Sequence, residues 1–223
     1  MVADGKEVYM EGSIKGLVIT GGAGPASDRL NRLGRSVDRV VVADSGLERA
    51  LEAALEPDLV VGDMDSLSDS RLLERVPAER VRTYRRYKDY TDTEIALEVL
   101  YEQGCEDILL AGGGGGRLDH LVGIVSLFDR ERHPRVWLTA SDEVIAIDTE
   151  LEYPGLRGRT VSFFPVGNEE CRMRSEGLRW PLDGLTWRHG DVGISNEVVS
   201  DTLRVDMISG RLIMVRALAE EQG

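Results

Sequence analysis

The stretch Val60-Val61-Gly62-Asp63-Met64-Asp65-Ser66-Leu67 limits what this chain can fold into more than any other. A short apolar run follows Pro57-Asp58, stops at a glycine, and gives way at once to two carboxylates one residue apart. Such a run reads as a buried strand ending in a polar turn. The same design recurs along the first half. Gly16–Thr20 leads into Gly21-Gly22-Ala23-Gly24-Pro25, and Arg39–Ala43 leads into Asp44-Ser45-Gly46. A strand near Arg80–Tyr84 precedes Lys88-Asp89-Tyr90-Thr91-Asp92. Asp107–Ala111 precedes Gly112–Gly116 and then Arg117-Leu118-Asp119-His120.

Helical spacing fills the gaps between these runs. Leu47, Ala50, Leu51, Ala54 and Leu55 recur at helical intervals, and a polar helix is expected near Ser68–Arg75. Thr91–Gln103 is the best helix, with Thr91 and Glu94 as a capping box. Another runs from about His120 to Asp129, before strands at Arg135–Thr139 and Glu143–Ile147. Strand and helix in regular alternation predict an α/β domain, a mostly parallel sheet flanked by helices. Its polar clusters all lie just after strands, where open α/β sheets bind ligands.

The pattern changes near Thr149–Gly155. Short alternating runs follow, at Thr160–Phe164, Cys171–Ser175, Asp191–Ser195, Leu203–Ile208 and Leu212–Arg216, punctuated by Gly, Pro, Asn and Asp. That pattern predicts an all-β sandwich or barrel. Two domains are expected, α/β over 16–148 and all-β over 149–218.

Composition narrows the partners. The chain has 223 residues, 42% of them hydrophobic, and a formal net charge of −13. That balance argues against a nucleic-acid or anionic-membrane surface. A phosphate can still be held locally by backbone N–H groups, Arg, Lys and a cation. Cys105 and Cys171 have no metal-ligand spacing and read as reduced thiols. Met1–Gly12 lacks the apolar core of a signal peptide, and no apolar run reaches the length of a membrane span. A soluble cytoplasmic protein is expected.

On extended chain Asp63 and Asp65 share a face, so their carboxylates converge. Like charges that close call for a cation or a shared proton. Oxygen-only ligands suit Mg²⁺, which takes one or two carboxylates plus substrate phosphates. Asp92 and Glu94 are also explained by the helix dipole, worth about 0.3–1 kcal/mol each. Lys88 and Asp89 precede the cap and are not. Five consecutive glycines are costly to order, which is tolerable where backbone passes close to a ligand. They end at a helix start, a natural anion site, but form neither a P-loop nor a dinucleotide fingerprint. Arg117 can fork onto a phosphate. His120 reads as a packed or capping residue.

Taken in order, these residues resemble the thiamin pyrophosphokinase family. The match rests on Asp44-x-Gly46, Pro57-Asp58 with Gly62-Asp63-Met64-Asp65-Ser66, Lys88-Asp89-x-Thr91-Asp92-x-Glu94-x-Ala96-Leu97 and Gly115-Gly116-Arg117-x-Asp119-His120. In the second half, Gly158-x-Thr160-Val161-Ser162-Phe163-x-Pro165, Gly177–Leu182 and Gly193-Ile194-Ser195-Asn196-Glu197 look like the family's thiamin-binding β-domain. Two positions depart from the family pattern: Ser45 stands where a glycine is usual, and Ile124 where an asparagine is usual.

The resemblance implies Mg²⁺-dependent transfer of pyrophosphate from ATP to the hydroxyl of thiamin, giving thiamin diphosphate and AMP. Asp63 and Asp65 would hold Mg²⁺, with Asp92 as a further ligand. Asp44, Lys88, Gly115, Gly116 and Arg117 would bind ATP and its phosphates. Asp89 or Asp119 would orient the thiamin hydroxyl or accept its proton. Trp180 would stack on thiamin, and Ser195 and Asn196 would hydrogen-bond its pyrimidine. A homodimer with sites shared between subunits is implied, and neither nucleic acid nor membrane is expected as a partner. A pyrophosphokinase for another alcohol, such as a hydroxymethylpterin, is the nearest alternative. A metal-dependent phosphoesterase would need more histidine ligands than His120, His133 and His189 supply.

Overall fold

The computed structural model describes residues 13–84 and 89–218. They belong to two compact units. One runs as far as Val122 and takes back Trp137–Ser141; the other comprises Gly123–Val136 and the chain from Asp142 onward. The chain thus passes between units before the expected boundary at residue 149.

The first unit is built on parallel strands β1 (Ile14–Ile19), β2 (Arg39–Ala43), β3 (Leu59–Gly62), β4 (Val81–Thr83) and β5 (Cys105–Ala111), in the order β5-β1-β2-β3-β4. Beyond β5 comes the short β6 (Val136–Leu138). The middle strands are apolar on both faces: Leu17, Val18, Ile19, Val41, Val42, Val60 and Val61 are all fully buried. Two-sided burial is the rule for parallel strands covered by helices. Here α2 (Gly46–Glu52) lies on β1 and β2, while α3 (Asp92–Glu102) lies on β1, β2, β3 and β5. The Thr91/Glu94 capping box forms as expected. The polar helix expected near Ser68–Arg75 is a 3₁₀ segment, Ser70–Arg75, with no buried residue to anchor a longer helix.

A further helix, α1 (Ser27–Arg35), packs on α2 where the spacing predicts none. It buries only Leu30 and Leu33, too few to show a period. The helix expected from His120 begins earlier, as α4 (Leu118–Ser126), and ends in a 3₁₀ turn at Leu127–Asp129.

The second unit is antiparallel. Strands β7 (Asp142–Ile147), β9 (Thr160–Val166), β12 (Gly193–Glu197) and β14 (Arg211–Ala217) pair in the order β12-β9-β14-β7. A four-stranded sheet runs β11-β10-β13-β8, from β8 (Glu150–Pro154), β10 (Cys171–Glu176), β11 (Thr186–Trp187) and β13 (Thr202–Ser209). Glu143 of β7 is fully buried and ties the two sheets. Its carboxylate accepts from the Arg216 Nε of β14 at 2.6 Å and from the Tyr153 hydroxyl of β8 at 3.0 Å. The Arg216 guanidinium also stands over the Tyr153 ring, 4.9 Å from its centroid. Burial, together with the Glu143 charge, pushes the Tyr153 hydroxyl well above its usual range.

His133 makes this unit sensitive to acid. Its imidazole lies edge-on to Phe128, with Nε2 at 3.2 Å from Asp148, and Arg211 also binds Asp148. Burial and the Arg211 charge, against the pull of Asp148, lower the His133 pKa to about 4. The folded value lies below the unfolded one, so the unfolded chain takes up this proton first as pH falls. Stability is therefore lost between about pH 6.5 and pH 4, by on the order of 3 kcal/mol. Urea unfolding at pH 7, 5 and 4 should show His133→Gln losing less stability than the parent across that window. Parallel losses would refute this role for His133.

Candidate functional site

The acidic rim forms where β2 and β3 end side by side. Asp44 follows β2 in a left-handed conformation (φ 47°), and its N–H donates to the carbonyl of Val61 at 2.9 Å. The next residues turn into α2, whose Gly46 packs so close to β1 that a Cβ there would lie 2.3 Å from the Ile19 carbonyl oxygen. Asp44 is thereby drawn in, only 8% exposed.

Carboxylate oxygens of Asp44, Asp63 and Asp65 lie within 4.8 Å of one another. The convergence of Asp63 and Asp65 is as expected, but its cause is not an extended chain. The strand ends at Gly62, and Met64 takes a left-handed conformation (φ 63°) that curls the loop. The Asp65 N–H donates to Asp63 Oδ1 at 3.2 Å and closes that turn. Asp92 reaches the same place from the first turn of α3: a Cβ on Gly62 would lie 3.2 Å from its Oδ1. The group confined within 4.8 Å holds Asp44 rather than Asp92.

Charge repulsion is visible in this cluster. Burial raises the Asp44 pKa first, a hydrogen bond from Ser66 opposes it, and the charges of Asp92, Asp63 and Asp65 raise it further. Asp44 Oδ1 is buried without a hydrogen-bond partner. An orphaned buried carboxylate oxygen among converging hard oxygens is what a Mg²⁺ site offers, so these residues fit that ion.

The glycine run divides in two. Gly112 at φ 104° crosses β1 so closely that a Cβ would lie 2.2 Å from the Thr20 carbonyl oxygen, and the Trp137 indole pins its carbonyl at 2.7 Å. Gly113 and Gly114 hydrogen-bond to Gly21 and Ala23. Gly112 and Gly114 are needed for close backbone packing, since a Cβ on Gly114 would lie 2.7 Å from the Ala23 carbonyl oxygen. Gly115 and Gly116 are exposed, and a Cβ on Gly116 would meet nothing within 4 Å. That end of the run is the most exposed.

Arg117 and Asp119 face each other as an exposed bidentate pair, at 3.1 and 2.5 Å. The Arg117 hydrogen bond holds the Asp119 pKa below the usual carboxylate range and so weakens it as a base. Asp89 is exposed in the bend before α3, and His120 is exposed on α4. Lys88 lies outside the described residues. Ile124 is buried, a packing residue in α4.

In the second unit Trp180 is 58% exposed. Ser195 is exposed and left-handed (φ 62°), with its N–H donating to Ser162 Oγ at 3.1 Å. Asn196 is buried, and its carboxamide meets the main chain of Trp180 at both ends. Ser66 reaches Asp44, and Asn196 reaches Trp180, across long stretches of chain, which residue spacing does not reveal.

Residues 30–138 match the family model for the thiamin pyrophosphokinase catalytic domain, and residues 143–212 match that for its vitamin B1 binding domain. The thiamine pyrophosphokinase of Bacillus subtilis (strain 168) is 28% identical over 182 residues, covering 78% of this chain and 85% of that protein. Thiamine pyrophosphokinase 1 of Oryza sativa subsp. japonica is 27% identical over 166 residues, 67% of this chain and 62% of that protein. Among solved structures, thiamin pyrophosphokinase from Geobacillus thermodenitrificans superposes with a TM-score of 0.72 at 26% identity, covering 93% of this chain and 99% of that one. The Bacillus subtilis enzyme gives 0.76 at 23% identity, over 92% of this chain and all of that one, a likeness of fold.

Proposed function

The chain belongs to the thiamin pyrophosphokinase family, and from that premise we propose that it transfers the pyrophosphoryl group of ATP to the hydroxyethyl oxygen of thiamin. The products are thiamin diphosphate and AMP. The observation that carries this reading is the acidic rim, where carboxylate oxygens of Asp44, Asp63 and Asp65 come within 4.8 Å of one another.

Asp63 and Asp65 would hold Mg²⁺, with Asp44 and Asp92 beside them. The ion, when bound, neutralises phosphate charge and aligns the reacting groups. Arg117 and Lys88 draw charge from the phosphates, and the open backbone at Gly115 and Gly116 gives the nucleotide room to approach. The thiamin oxygen attacks the β-phosphorus in line with the oxygen that bridges to the α-phosphorus. A new O–P bond forms, the bridging O–P bond breaks, and AMP leaves with its electron pair. The hydroxyl proton goes to a carboxylate. Arg117 weakens Asp119 for that task, so we assign it to Asp89 and give Asp119 the role of holding Arg117.

Trp180 offers its indole face to the cationic thiazolium. Ser195 offers its hydroxyl to the pyrimidine, and Asn196 acts beside it. We further propose a cytoplasmic homodimer whose sites combine the catalytic segment of one subunit with the vitamin B1 segment of the other. The exposed apolar residues Trp180, Val192 and Ile194 of the second unit support that assembly, since a two-fold partner would cover them. Among the described residues, no helix is long and apolar enough to cross a membrane.

The acceptor tests the reading. Supplied with ATP and Mg²⁺, the protein should convert thiamin to thiamin diphosphate and leave a hydroxymethylpterin unchanged. Pyrophosphorylation of the pterin, or release of inorganic phosphate with thiamin left intact, would replace this reading with one of the alternatives.

A further inference from the structure

Strand β12 does not pair regularly with β9. Its register shifts between Gly193 and Asn196, at the left-handed Ser195. On the other side of β12 the chain at 177–180 runs antiparallel to 196–199. The Val199 N–H donates to the Gly177 carbonyl at 2.8 Å, Leu178 bridges Val198, and the Arg179 N–H donates to the Glu197 carbonyl at 2.8 Å. The Arg179 guanidinium grips the Glu197 carboxylate at 2.7 and 3.1 Å. At Trp180 a side chain takes over from the backbone. The Trp180 N–H donates to Asn196 Oδ1 at 3.2 Å, and Asn196 Nδ2 donates to the Trp180 carbonyl at 2.6 Å. A carboxamide carries the same donor and acceptor as a peptide group, so it extends the ladder by one rung.

We propose that Asn196 is a positioning residue, whose carboxamide clamps the Trp180 main chain and thereby aims the indole at thiamin. The proposal rests on the reading of Trp180 as the thiamin platform. Trp180 is 58% exposed, so within its own subunit little packing holds the indole, and its direction follows from its own backbone. Pro181 restricts that backbone from one side, and Asn196 fixes both polar groups of Trp180 from the other. Asn196 itself is only 7% exposed. The adjacent pair thus divides the work: exposed Ser195 meets the ligand, and buried Asn196 holds the platform.

A double-mutant cycle on the full-length protein tests this. Asn196→Ala should raise KM for thiamin on the order of tenfold, the worth of two neutral hydrogen bonds. KM for ATP should stay within about twofold, as expected of a site with no shared contact. In NMR exchange measurements the Trp180 amide should lose protection while the Arg179 amide keeps it. On a Trp180→Ala background, Asn196→Ala should add less than about twofold to KM for thiamin, because no indole remains to be aimed. The full penalty on that background would mean that Asn196 touches thiamin itself and would overturn the proposal. So would an equal rise in KM for ATP, or an unchanged KM for thiamin. Should Asn196→Ala fail to fold, Asn196→Asp, which keeps the acceptor for the Trp180 N–H and loses the donor, carries the same cycle. The underlying reading fails separately, if Trp180→Ala alone leaves KM for thiamin unchanged.

Discussion

Asp63→Asn and Asp65→Asn are each expected to lower turnover by about a hundredfold or more, the usual cost of removing one key electrostatic group from a reacting centre. Each change removes a negative charge from the converging set while leaving its shape in place. In Asp63→Asn the new carboxamide would still present an oxygen to the Asp65 N–H, so the turn at Met64 should persist. The fold should survive for a second reason. The charges of Asp63, Asp65 and Asp92 all raise the Asp44 pKa, so the cluster repels itself, and removing one charge relieves that. Thermal unfolding of either variant without added metal should therefore occur at or above the parent's temperature. Activity within a fewfold of the parent at saturating Mg²⁺ would show that the pair does not hold the ion.

Recovery on mixing two impaired proteins is the second large effect. At thiamin well below the KM of Trp180→Ala, neither Asp63→Asn nor Trp180→Ala should turn over thiamin appreciably alone. After subunit exchange, about half of the dimers are mixed, and in each of these one of two sites carries neither change if sites are built across a two-fold interface. About a quarter of the parent's activity should then return. No recovery, with exchange verified by mass, would place each site within one chain.

Much of the fold is legible because its strands are apolar runs that stop abruptly at polar residues. Val60–Gly62 and Arg39–Ala43 announce both a buried strand and a rim. The Thr91/Glu94 pair announces a helix start, because its hydrogen bonds are local. Elements whose burial depends on distant partners are less legible. Helix α1 shows the core only two leucines, and β8 alternates Leu151 and Tyr153 inward over just five residues that end at Pro154. The site follows the same division. That the Asp63 and Asp65 carboxylates converge is expected from their spacing, although a left-handed Met64 and not an extended chain brings them together. That Asp44 joins them depends on β2 lying beside β3, which no local pattern encodes. The left-handed Met64, the packed first half of the glycine run and the Asn196 clamp are likewise products of tertiary contact. Departures from the family pattern meet different fates in the fold. Ile124 is absorbed into packing, whereas the Ser45 hydroxyl lies against Gly21, where a Cβ would be 2.2 Å away from it.

The nucleotide released during thiamin phosphorylation tests the proposed chemistry most directly. Attack on the β-phosphorus leaves AMP, and attack on the γ-phosphorus leaves ADP. With the purified protein, ATP, Mg²⁺ and thiamin, AMP should accumulate one for one with thiamin diphosphate, separated by chromatography and followed over time. ADP formed one for one with a phosphorylated thiamin would mean transfer of a single phosphoryl group and would contradict the pyrophosphoryl mechanism.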